Sequence, residues 1–263
     1  MDTEPFVELL RILEEGRPCA LATVVETTGS TPRKAGSKML IRDDGSTSGT
    51  LGGGVIEQEV IREAKQALRK GRPRLITVDV KAAPETGTGG GTAQVFIDPL
   101  KPAPKLFIIG AGHVGAAVCR LAGQVGFYVT VADDRAEFLS RERLPDADEL
   151  VLKDPSEAID ALRPDERTAI IICTRSHELD YAAVQAGLCS QAGFIGLLGS
   201  IRKKAAFMKR LREEGHSEED LARITTPVGL PIGAETPEEI AVSILAQLVE
   251  IRRERWEKEG TTG

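Results

Sequence analysis

The run Leu106-Phe-Ile-Ile-Gly-Ala-Gly-His-Val-Gly115 carries the sharpest chemical signal, an apolar stretch that ends in Gly-x-Gly-x-x-Gly and passes into a helical pattern. In that setting Gly110 permits a tight turn, Gly112 lets backbone approach a pyrophosphate, and Gly115 lets the helix press on its sheet. The next apolar run ends at Asp133, about 20 residues on, where a carboxylate accepts a ribose hydroxyl and repels a 2′-phosphate. NAD or another adenosine-like nucleotide is favoured over NADP by that residue, although Arg135 nearby weakens the exclusion. The other reading is a glycine-rich turn that serves packing alone.

A second set of residues lies in the first half. Thr28-Gly-Ser-Thr-Pro-Arg-Lys-Ala-Gly-Ser-Lys38 and Gly49-Thr-Leu-Gly-Gly-Gly-Val-Ile-Glu57 both suit an anion. Gly52, Gly53 and Gly54 at a helix entry expose N–H groups at the positive end of the helix dipole, and Arg33, Lys34 and Lys38 add charge. A phosphate is the natural occupant, but no Lys-Ser or Lys-Thr follows the glycines, so a triphosphate-hydrolysing loop is not indicated. A hairpin and turn with solvated lysines is the competing reading. A third cluster, Gly87 to Thr92, either adds to such a nest or forms a loop.

His113 and His177 fall just past the carboxyl ends of expected parallel strands, where open sheets place their crevice, and are expected to face one cleft. His177 with Asp180 is the candidate acid/base pair, and a solvent-facing turn or helix-cap position is the alternative for each histidine. Two histidines do not make a metal site, and none is expected; His216 reads as surface. Cys173, at the mouth of the crevice, is the one cysteine considered for reactivity, while Cys19, Cys119 and Cys189 are assigned to packing. Arg202-Lys203-Lys204 is either a solvated face or a contact to phosphate or a partner.

These residues need elements to hold them. Phe6, Leu9, Leu10 and Leu13 recur at helical spacing over 5–15, and Gly16 stops the pattern. Strands are expected over 19–26, 38–42, 75–80 and 94–98, with Asp44-Gly45 turning a hairpin and a helix over 55–69. Pro99, Pro102 and Pro104 suit neither a helix nor a central strand, so the expected organisation is a domain over 1–98, a linker over 99–105 and a domain over 106–263. Beyond the linker, strands and helices alternate, which requires a parallel sheet with helices on both faces. Thr236-Pro237-Glu238-Glu239 combines an N-cap, proline at N1 and glutamate at N3, and opens a last helix. The fold class is therefore α/β, a C-terminal Rossmann-type parallel sheet preceded by a smaller α+β domain.

With 263 residues, two domains are also the expectation from length. The 34 Lys and Arg against 40 Asp and Glu leave a net charge of −6, which argues against nucleic acid or anionic lipid as partner. No stretch approaches the roughly 20 apolar residues of a membrane span, and Asp2, Glu4 and Glu8 interrupt any signal-peptide core. Four cysteines without CxxC spacing fit a reduced cytoplasm.

Together the segments resemble a family. ATVVETTGSTPRKAGSKMLIRDDG from Ala22 and GTLGGGVIE from Gly49 are similar to the N-terminal domain of the XdhC/CoxI family, the xanthine dehydrogenase accessory factors. LFIIGAGHVGAAV, VADDRAEF from Val131, TRSHELD from Thr174, GLLGSIRKK from Gly196 and PVGLPIGAETPEEIAVSI from Pro227 resemble that family's Rossmann-type domain, in the same order. The resemblance implies a factor that binds the molybdenum cofactor in its molybdopterin form and hands it, for sulfuration and insertion, to a xanthine-dehydrogenase-type molybdoenzyme, with a sulfurtransferase as a further partner. It implies a cofactor-binding chaperone rather than a catalyst. Binding contacts are then expected from Ser30, Arg33, Lys38, Gly52, Gly53, Gly54 and Glu57 in the first domain, and from Gly110, Gly112, His113, Gly115, Asp133, Arg135, Thr174 and His177 in the second. Members of the family commonly carry Cys-Gly-Gly where this chain reads Gly89-Gly90-Gly91, so a sulfur relay through position 89 is absent. An NAD-dependent oxidoreductase using His177, or a nucleotide-sensing module, is the alternative, and a homodimer is plausible on general grounds.

Overall fold

The structure is a computed structural model that describes residues 4–80 and 90–256. Its chain divides into two compact units between Ala103 and Pro104.

The N-terminal unit is a five-stranded sheet made from β1 (Cys19–Gly29), β2 (Lys38–Arg42), β3 (Thr47–Gly49), β4 (Arg74–Val80) and β5 (Gly91–Leu100). Its order is β3-β2-β1-β5-β4, antiparallel throughout. Helix α2 (Gly54–Lys70) lays Ile56, Val60, Ala64 and Ala67 on Ala20, Ala22, Met39, Val95 and Ile97. Helix α1 (Glu4–Glu14) covers part of the opposite face, where Ile12 meets Cys19 and Leu40. Its expected stripe is rotated: Ile12 is buried with Leu9 and Leu13 beside it, whereas Phe6 and Leu10 are exposed. Gly16 adopts the left-handed conformation that ends α1, as its position in the pattern requires.

Strand β5 continues through Pro99 to Leu100, into the segment read as a linker. Pro99 faces Ala20 on β1, while β4 reaches only as far as Ile97 on the other side. A central strand is locally an edge there, so the missing N–H breaks no ladder.

The C-terminal unit has a six-stranded parallel sheet of β6 (Lys105–Ile109), β7 (Tyr128–Asp133), β8 (Glu149–Leu152), β9 (Thr168–Ile172), β10 (Phe194–Leu197) and β11 (Ile224–Thr225), in the order β11-β10-β9-β6-β7-β8. Alternate residues of β6 serve two cores: Leu106 and Ile108 pack beneath α3 (His113–Ala122) and α8 (Pro237–Ile251). On the other face Phe107 and Ile109 pack beneath α4 (Pro155–Leu162), α5 (His177–Cys189) and α6 (Ile201–Glu213). The Thr236 and Glu239 capping box forms at the start of α8, whose Ile244 and Leu248 join the core of α3. Helix α7 (Glu218–Ala222) and the two-residue β11 were not anticipated; both are too short to show a period. No helix among the described residues is long and apolar enough to cross a membrane.

Candidate functional site

In the N-terminal unit the three glycine-rich segments, far apart in sequence, meet at one end of the sheet. A side chain on Gly52 would lie 2.4 Å from the Pro32 ring, so the Ser30 to Lys34 loop rests directly on the Gly52–Gly54 turn. On the other side Ser30 N–H donates to the Gly90 carbonyl at 3.4 Å, and the Thr28 and Thr92 hydroxyls share a hydrogen bond of 2.6 Å. Gly90 and Gly91 thus join the cluster, whereas Gly87 to Gly89, including the position of the family cysteine, lie outside the described residues.

Gly52, Gly53 and Gly54 all have positive φ, which supplies the reason for three glycines in succession. Part of the nest they form is filled from within. Glu57 Oε1 accepts from Thr50 Oγ1 at 2.6 Å and from the N–H groups of Leu51 and Gly53 at 3.0 Å each. Burial opposes ionisation of Glu57, but these donors prevail and hold its carboxyl below the usual range. Glu57 therefore plays the anion to its own helix entry. Arg33 and Lys34 are exposed, with no ion pair among the described residues, while Lys38 turns back to the Gly36 carbonyl at 3.2 Å and lies over the Phe6 ring. Ser30, Arg33, Lys34 and Gly54 are exposed, and Arg33 Cγ lies 3.5 Å from where a side chain on Gly52 would stand.

In the C-terminal unit the chain leaves β6 for β7 in one direction and reaches β9 in the other, so the carboxyl ends of β6 and β9 form the topological switch point. Gly110, at φ 118°, sits against the Cys173 carbonyl, where a Cβ would come within 2.4 Å. A Cβ on Gly115 would come within 1.9 Å of the Gly110 carbonyl oxygen, while around Gly112 nothing lies within 4 Å. The turn, close packing and open approach foreseen for the three glycines are all present in the backbone.

Asp133 is arranged differently from expectation. Only 4% exposed, it accepts from the Ala111 N–H on Oδ2 at 2.8 Å and from the Arg135 N–H on Oδ1 at 3.1 Å. The Arg135 guanidinium closes on both oxygens at 2.9 and 3.0 Å and stacks on Phe138 with 3.8 Å to the ring centre. Burial pushes the Asp133 carboxyl up, yet Arg135 and Ala111 outweigh it and leave the group below its ordinary value. Arg175 pairs with Asp134 alongside. The ribose-accepting role assigned to Asp133 meets a carboxylate already engaged inside the protein.

The two histidines do not share a cleft. His113 opens α3 and lines a cleft of about 330 Å³ with Arg120, Glu142, Arg143 and Glu238. His177 opens α5, one residue after the Ser176 N-cap, with its ring edge-on to Phe207 at 6.2 Å. Because α3 and α5 leave the switch point in opposite directions, they pack on opposite faces of the sheet. Asp180 is buried and accepts from Thr174 N–H at 3.0 Å and Thr174 Oγ1 at 2.7 Å, which fixes the turn between β9 and α5.

Cys19 and Cys119 are buried, and burial pushes each thiol up to about 11. Cys173 is also buried, its Sγ 3.4 Å from the Gly110 carbonyl. Cys189, read as packing, is exposed, because it falls on the last turn of α5 beyond the core. His216 is half-buried rather than on the surface. Lys204 is exposed on α6, and the side chains of Arg202 and Lys203 lie outside the described residues. Sequence reasoning missed Thr50, Ala111 and Phe138, which bind no chemistry themselves but hold Glu57, Asp133 and Arg135.

Known proteins match along nearly the whole chain. The XdhC and CoxI family matches residues 12–79, and the XdhC Rossmann domain matches residues 106–248. The chain is 40% identical over 253 residues to the uncharacterized protein YqeB of Escherichia coli K12, covering 94% of this chain and 46% of that protein, so it spans less than half of that relative. It is 24% identical over 322 residues to a probable xanthine dehydrogenase subunit of Bacillus subtilis 168, covering 92% and 96% of the two chains. It is 25% identical over 272 residues to the molybdenum cofactor insertion chaperone PaoD of E. coli K12, covering 91% and 85%. In fold it is similar to a crystal structure described as a xanthine dehydrogenase from Bacillus halodurans, with a TM-score of 0.54, 24% identity and coverage of 96% and 97%. With a six-stranded Rossmann-type unit matched from 106 to 248 and the preceding unit matched from 12 to 79, this chain belongs to the XdhC and CoxI family.

Proposed function

We propose that this protein binds the molybdenum cofactor and delivers it, for sulfuration and insertion, to an apoenzyme of the xanthine dehydrogenase type. The observation that carries the reading is the contact of the 30–34 loop with the Gly52 turn, through Pro32 and Arg33, and with Gly90, through Ser30, in a chain aligned over 91% of its length with a molybdenum cofactor insertion chaperone. Molybdopterin carries a phosphate; the Gly52 and Gly53 N–H groups are taken by Thr50 and Glu57, so what supports the reading is the helix-entry N–H of the exposed Gly54 together with cationic side chains with no ion pair among the described residues. Gly89 in place of a thiol means that a sulfurtransferase, on this reading, acts on the bound cofactor without a relay through that position.

The test is retention. The pure protein is incubated anaerobically with freshly released cofactor and desalted, and molybdenum and oxidised pterin are measured per chain. Near-stoichiometric retention is expected. It should fall severalfold in the double variant Arg33→Ala, Lys34→Ala, whose side chains are exposed and contribute little to folding. No retention by the unaltered protein overturns the reading.

A further inference from the structure

We infer that the switch-point crevice of the C-terminal unit reads a phosphomonoester and rejects a ligand that presents only a ribose diol, because Arg135 has taken over Asp133. A diol binds such a carboxylate by donating to it, and a carboxylate offers about four lone-pair sites. All are in use: Arg135 N and Nε on Oδ1 at 3.1 and 2.9 Å, Ala111 N and Arg135 Nη2 on Oδ2 at 2.8 and 3.0 Å.

Releasing those sites means moving a guanidinium that is both forked onto the carboxylate and stacked 3.8 Å over Phe138, whose ring also carries Arg143 at 4.8 Å. The hollow lined by Gly110, Asp133, Asp134, Arg135, Thr174 and Arg175 measures about 10 Å³, the room of one water, so a ribose does not enter beside the arginine. What the crevice presents instead is donors. Of the five guanidinium N–H groups, two go to Asp133; Nε also lies 3.8 Å from Asp134 Oδ1, a carboxylate that pairs in turn with Arg175, and the three N–H groups on the outer edge make no hydrogen bond among the described residues. The Arg135 side chain keeps 26% of its surface exposed, so that free edge reaches solvent, and its planar fork matches a phosphate. The site has changed from an acceptor of hydroxyls into a donor to an anion.

The same chemistry occurs on the 2′-phosphate of a dinucleotide and on the terminal phosphate of a pterin, and two matched pairs of probes separate them. The full-length protein carrying Arg33→Ala and Lys34→Ala, which removes the cations proposed to hold a pterin phosphate in the N-terminal unit, is titrated calorimetrically with NADPH against NADH, and with the oxidised phosphorylated pterin derived from molybdopterin against the same pterin after phosphatase treatment. At least a tenfold preference for the phosphorylated member of one pair is expected, and the pair that shows it names the source. Arg135→Ala should reduce that preference to less than threefold and raise affinity for NADH by freeing Asp133. Arg135→Lys, which keeps the charge and loses the fork, should fall between, and Arg143→Ala, which leaves the contacts to Asp133 intact, should keep the preference.

Equal binding of both members of each pair, binding of neither, or a preference that survives Arg135→Ala would overturn the inference. It does not rest on the N-terminal surface: cofactor retention that fails with Arg33→Ala, Lys34→Ala while the preference persists separates the two readings, as does the converse.

Discussion

Gly112 and Gly115 stand within one turn of α3, yet they meet opposite requirements. Gly115 has backbone where a side chain would go, 1.9 Å from the Gly110 oxygen and 3.3 Å from Ile108 Cγ2, so any Cβ forces the helix off the sheet. Gly112 has an ordinary φ of −69° and open space around it, so its lack of a side chain serves access and not packing. Gly115→Ala is expected to cost about 2–3 kcal/mol, the upper part of the overpacking range, read as a lower denaturant midpoint. Gly112→Ala should leave the midpoint unchanged and weaken ligand binding at the switch point. Equal destabilisation by both would contradict the division of roles. These two glycines were legible in sequence because motif spacing states what each backbone position must do. The fates of Asp133 and Glu57 were not, since which donor a carboxylate finds depends on side chains brought beside it by the fold.

At the scale of elements, α1 shows how tertiary contacts override a local pattern. Phe6, Leu9, Leu10 and Leu13 lie at helical spacing, but only Leu9 and Leu13 turn toward the sheet, and Leu10 is left 62% exposed. The rotated face meets the strands through Ile12 on Cys19 and Leu40, and an ion pair sits beside it: Glu8 accepts from Arg42 of β2 at 2.5 Å and from Arg11 at 2.7 Å. Hydrogen bonds from Arg11 and Arg42 lower the Glu8 carboxyl to about 2. A carboxyl lowered on folding contributes stability above its unfolded value, near 4.5, and loses it as pH falls toward 2. Amide protection in α1, corrected for intrinsic exchange, should therefore weaken between pH 4.5 and 2 ahead of the rest of the unit. Glu8→Gln should remove that pH dependence, and an α1 that loosens identically in both proteins would show that the pair does not hold the helix.

At the scale of the whole molecule, the two units bury separate cores, α2 and α1 against the antiparallel sheet in one and α3, α8, α4, α5 and α6 against the parallel sheet in the other. A fragment spanning 104–256 should therefore show a cooperative thermal transition and the circular dichroism of an α/β fold on its own. A fragment that binds hydrophobic dye and melts without a transition would show that the unit depends on the preceding one. The sequence by itself determined the α/β class, the direction of each sheet, the caps at Gly16 and Thr236, and the glycines of both loops. Each of these follows from local backbone geometry and the period of apolar residues, which neighbouring positions state directly. Only the tertiary structure decided that Arg135 closes Asp133, that Glu57 fills part of the Gly52–Gly54 nest, and that His113 and His177 open on opposite faces. Polar satisfaction and crossover direction depend on which distant segments the packed sheets bring together.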